Sequence, residues 1–83
     1  MPTETEVELE VARFLADGPS PEAILAFHAS PAVADRMYEL IDRERAGHIT
    51  EEEKSELETY VYIEHLMRLV KIEAQHKLSQ QAS

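Results

Sequence analysis

The chain is expected to fold as an all-α protein of three short helices and one long C-terminal helix, and three observations predict this. Ser-Pro pairs that open apolar-periodic runs recur at Ser20 and Ser30, a Thr-Glu-Glu-Glu capping box opens at Thr50, and no Gly or Pro follows Thr50. A hydroxyl at the N-cap with Pro at the first helical position suits a helix start, because that N–H has no intrahelical partner in any case. No pair of alternating segments is available to build a sheet.

The elements follow in order. The stretch 1–17 holds "TEVELEVARFL", in which Val7, Val11, Phe14 and Leu15 fit one helical face, although Glu6 to Val11 also alternate as a strand would. Helix is the reading favoured here. As a strand the segment would suggest a ribbon-helix-helix repressor, but the face meant for DNA would then be Glu6, Glu8 and Glu10, all acidic. "DGPS", Asp17 to Ser20, reads as a helix stop and turn, and a short helix from Pro21 completes the stretch 18–30. The stretch 31–79 reads as a helical hairpin. Its first arm starts near Pro31 and sets Val33, Met37, Leu40 and Ile41 on one face. Its second arm runs from Glu51 to about Ser79, roughly 40 Å at 1.5 Å per residue. Residues 80–83 are expected to be a disordered tail, and 1–83 to be a single domain.

Composition bounds the function. At 83 residues the core is small, near the size at which a partner subunit is often needed, so a dimeric bundle is expected. There are 17 acids against 8 Lys and Arg, a net charge of −9. Such a surface repels phosphate backbones and anionic lipid and attracts basic proteins, so neither nucleic acid nor membrane is expected as a partner. Fifteen of the acids lie at or before Glu58, with five of the bases. No cysteine means no disulfide and no thiolate chemistry. Without a leader-like start or an apolar run of membrane length, a cytoplasmic location is expected.

The stretch "IDRERAGHITEEE" holds the densest chemistry. Counted from Asp42 it follows the frame of an EF-hand calcium loop, with Asp42, Glu44, Thr50 and Glu53 as side-chain ligands and His48 supplying a backbone carbonyl. Ala46 offers nothing at position 5, Glu44 is long for position 3, and Lys54 sits where an apolar residue commonly packs. A structural corner accounts for the same letters. Gly47 takes the left-handed conformation past one helix, Ile49 packs back, Thr50 caps the next helix and Glu53 completes the box. The corner is the expectation, and no metal or cofactor is expected; a weak or vestigial calcium site is the alternative.

Glu73 and His76 form a Glu-x-x-His step like those of di-iron bundles, but a single copy without inward Glu partners reads as a hydrated helix end. His28 and His65 are expected to cover the edge of the core. No catalytic constellation is readable at sequence spacing, and no enzymatic activity is expected.

The long helix is different. Val61, Tyr62, Ile63, Leu66, Met67, Leu69, Val70, Ile72, Ala74 and Leu78 surround most of its circumference, and three short helices can cover one side only. Tyr62, Leu66, Leu69, Val70 and Ala74 are therefore expected to form a partner or dimer interface.

Residues 20–78 resemble, loosely, a group of small bacterial proteins of uncharacterised function, frequent in cyanobacteria. The likeness rests on Ser20, Pro21, Ile24, Phe27 and Ser30, on the corner Gly47, Ile49, Thr50 and Glu53, and on Tyr60, Glu64, His65, Leu66 and Lys71. What it implies is an antitoxin-like or accessory partner of a neighbouring enzyme, such as a nuclease; the expectation that the partner is basic comes from the charge balance.

Overall fold

The computed structural model describes residues 4–81, in which the chain forms four helices and no strand: α1 (Glu6–Ala16), α2 (Pro21–Ala26), α3 (Pro31–Arg45) and α4 (Glu51–Gln81). Each begins where its capping residue stands. Thr5 accepts from the backbone N–H of Glu8 while Glu8 returns a carboxylate oxygen to the N–H of Thr5 at 2.8 Å, a full capping box. That pairing settles the first segment as helix. Ser20 and Ser30 cap α2 and α3 by accepting from Ala23 and Val33.

Just past the end of α1 stands Gly18, whose φ of +65° is the left-handed region that favours glycine. α4 extends through Gln81, so Gln80 and Gln81 are helical and not a tail; Met1 to Thr3, Ala82 and Ser83 lie outside the described residues.

α1, α2 and α3 all pack on α4. The core between them holds Val7 and Val11 of α1, Val33 and the fully buried Leu40 of α3, and Leu57, Tyr60 and Met67 of α4. Met37 and Ile41 complete the expected α3 face as partly buried neighbours. Two polar ties hold the short helices in place. Glu10 of α1 accepts from the N–H of Ser30 at 3.1 Å, setting a carboxylate at the positive end of α3. Lys71 of α4 donates its ammonium to the carbonyl of Phe27 at 2.6 Å, just past the end of α2. Phe27 in turn stacks on Phe14, ring centroids 4.4 Å apart.

The molecule is elongated, 52 × 26 × 20 Å, with a radius of gyration of 15.1 Å against about 12 Å for a compact chain of this length. The cause is α4, whose 31 residues span about 46 Å. Three helices of 6 to 15 residues lie along one side of it and leave the other side open.

Candidate docking face on α4

The open side carries the exposed large side chains of α4: Val61, Tyr62, Leu66, Leu69 and Ile72. At 100° per residue these five fall within one arc of less than half the circumference, while Leu57, Tyr60, Met67 and Ala74 occupy the opposite arc. Tyr62 is 64 % exposed and Ile72 58 %, so these are whole faces in solvent, not edges of the core. Exposed apolar side chains gathered on one side of a helix make this arc the candidate interaction surface.

The sequence identified part of this face. Tyr62, Leu66 and Leu69 belong to it, whereas Val70 packs against the core and Ala74 is 4 % exposed. Those two are corrections to the expected interface. The row Val70, Ala74 turns toward α1–α3, on the turns flanking Lys71 and its bond to Phe27. Val61 and Ile72, which complete the exposed arc, were hidden in the sequence because α4 is apolar nearly all round. Only the position of the other helices says which apolar row is free. His65 lies within the arc and is exposed, so it does not cover the core as expected, whereas His28, also exposed, lines the cleft at the edge of the core.

The corner between α3 and α4 is a Schellman motif joined to a capping box. His48 N–H donates to the Arg43 carbonyl at 2.9 Å and Gly47 N–H to that of Glu44 at 3.1 Å, with Gly47 at φ +74°. Thr50 and Glu53 cap reciprocally at 3.0 and 3.1 Å. Asp42 and Glu44 remain in the last turn of α3. Of the two oxygens of Glu53, one accepts from Thr50 N–H and the other pairs with the guanidinium of Arg43. The Thr50 hydrogen bond first, then the Arg43 charge, lower its pKa from the ordinary value. Of the calcium-frame residues, Glu53 thus already pairs with a cation, Arg43. No three His, Asp or Glu side chains are grouped to hold an ion among the described residues. Glu73 and His76 both face solvent.

Several acids that read as surface charge have structural duties. Glu8 and Glu53 are capping-box members, Glu10 holds the start of α3, and Glu56 pairs with Arg36. Glu4, Glu6, Glu51 and Glu52 remain as exposed acids near the two helix starts. None of the helices in the described residues is long and apolar enough to cross a membrane.

An apolar cleft of about 390 Å³ opens where α1 and α3 meet α4, lined by Val11, Phe27, Met37, Ile63 and Met67 among others. Both cations at its rim are engaged, Lys71 with the Phe27 carbonyl and Arg68 with Glu64.

The residues behind the resemblance are mostly those that hold the fold: Ser20 and Ser30 cap, Phe27 stacks, Gly47 turns, Tyr60 fills the core and Lys71 ties α4 to the end of α2. Compared with family models, curated proteins and solved structures, the chain matches none.

Proposed function

We propose that this chain is a small acidic protein-interaction module, an accessory or antitoxin-like protein that docks through the exposed face of α4. The observation that carries the reading is the arc of Val61, Tyr62, Leu66, Leu69 and Ile72, left open by the chain's own helices. With a net charge of −9, the partner class that fits is a basic protein. Exposed acids such as Glu4, Glu6, Glu51 and Glu52 raise the encounter rate, and the apolar face holds the complex once formed. If the partner is a nuclease, covering its basic groove is the simplest way to inhibit it.

The test is association with the purified product of the adjacent gene, measured against salt. The expected result is an on-rate that falls as salt rises and a complex lost in Tyr62→Ser and Leu69→Ser variants that keep their helical signal. Tight binding of the isolated chain to duplex DNA would overturn the reading.

A further inference from the structure

The open face of α4 has a period of its own. Tyr62, His65, Leu69 and Ile72 are spaced 3, 4 and 3, the a and d spacing of a coiled-coil seam. With Tyr62 and Leu69 at a, Val61, Arg68 and Gln75 fall at g, and Leu66, Glu73 and Gln80 fall at e. In a parallel, in-register pair each g residue faces the e residue five places further along the other helix. That rule matches the flanks in kind: Val61 with Leu66, Arg68 with Glu73, Gln75 with Gln80. The opposite orientation does not. Aligning two copies so that Tyr62 of one meets Ile72 of the other brings Arg68 beside Arg68.

We infer that, until a basic partner displaces it, the occupant of this face is a second copy of the same chain, its α4 parallel and in register, with Arg68 of each copy paired to Glu73 of the other. The inference rests on the reading of α4 as a docking face and goes further by fixing the resting occupant, its direction and its register. Arg68 can make the pair while keeping its bond to Glu64. In the monomer it gives one Nη2 hydrogen bond to Glu64 at 3.1 Å, and a guanidinium has five donors. α1, α2 and α3 do not obstruct the pairing, because Leu57, Tyr60, Met67 and Ala74, which face them, lie on the other side of α4. Glu58 precedes the seam at a d position, where two copies would repel, so the contact begins at Val61. Its polar layer is His65, and a polar side chain inside a seam specifies register at some loss of stability. A seam of little more than two heptads makes the dimer reversible upon dilution.

The absence of cysteine makes the test direct. Under mild oxidation the full chain carrying Leu69→Cys should form a covalent dimer, since an a residue meets its own copy in a parallel seam, while Lys77→Cys, off the seam, should not. Independently, sedimentation across a micromolar dilution series should show Arg68→Glu and Glu73→Arg each weakening self-association by about three- to tenfold, with the double exchange restoring it. Cross-linking that requires mixed Tyr62→Cys and Ile72→Cys chains would overturn the parallel register. A monomer at every concentration would overturn the inference, and binding of a basic partner that is lost in Tyr62→Ser would then leave the docking face itself standing.

Discussion

Arg36 grips Glu56 with two parallel hydrogen bonds, Nε to Oε2 and Nη2 to Oε1, each 2.8 Å long. This is the bidentate geometry in which arginine–carboxylate pairs are strongest, and it joins the middle of α3 to α4 beside the core. The hydrogen bond from Arg36, ahead of its charge, lowers the Glu56 pKa.

A group whose folded pKa lies below its unfolded value adds stability above the unfolded value and loses it as pH falls through the folded one. Glu56→Gln should therefore lower stability by about 1 kcal/mol near pH 7, a modest figure because both side chains are partly solvated. The gap to wild type should shrink as pH drops below 4.5, the ordinary value for this carboxyl. Urea midpoints at several pH values check this, and a gap that stays constant down to pH 3 would sink the assignment.

Tyr60 presents the reverse situation. Its side chain is 2 % exposed and its hydroxyl has no hydrogen-bond partner among the described residues. Burial first, then the nearby Glu56 charge, push its pKa up. An unsatisfied buried hydroxyl carries a desolvation penalty of about 1–3 kcal/mol, so Tyr60→Phe should leave the protein as stable as wild type or more so. A clear drop in melting temperature would mean that the hydroxyl has a partner in solution.

Gly47 offers a clean measure of backbone strain. Its φ is +74°, and a Cβ built there would meet nothing within 4 Å. Gly47→Ala should lower stability by about 1 kcal/mol through conformation alone, and Gly47→Asn by less, since asparagine tolerates the left-handed region. Equal losses in thermal melts would contradict that cause.

Calcium at millimolar concentration should change neither the melting temperature nor the helical signal, because Glu53 is committed to Thr50 and Arg43. Glu53→Gln should be mild, since Gln also serves in a capping box. Saturable calorimetric binding tighter than about 100 μM, in the range of known calcium sites, with loss of that binding in Glu53→Gln, would reinstate the metal reading.

The fold was legible where chemistry is local. Ser20, Ser30 and Thr50 marked three helix starts to the residue, and Gly18 and Gly47 marked two ends, because caps and left-handed turns depend on neighbours three or four places away. Val33, Met37, Leu40 and Ile41 showed the inner face of α3 for the same reason. The site was legible only by half. Tyr62 and Val70 look equally apolar in the sequence, and only the lie of α1–α3 against α4 leaves one in solvent and packs the other. Likewise the acids Glu10 and Glu56 differ from Glu4 and Glu6 in nothing but their tertiary partners, Ser30 and Arg36.

All four helix starts are closed by a side chain acting over three residues: Thr5 on Glu8, Ser20 on Ala23, Ser30 on Val33 and Thr50 on Glu53. Each helix start is thus defined by its own neighbours, and little loop closure precedes the contacts between adjacent helices. Chains of such low contact order refold on the order of milliseconds or faster. The long-range ties, Arg36 to Glu56 and Lys71 to the Phe27 carbonyl, are expected to form late on such a route. Removing them should leave the refolding limb of a chevron almost unmoved and raise the unfolding limb, so they set the lifetime of the fold and not the speed of its formation.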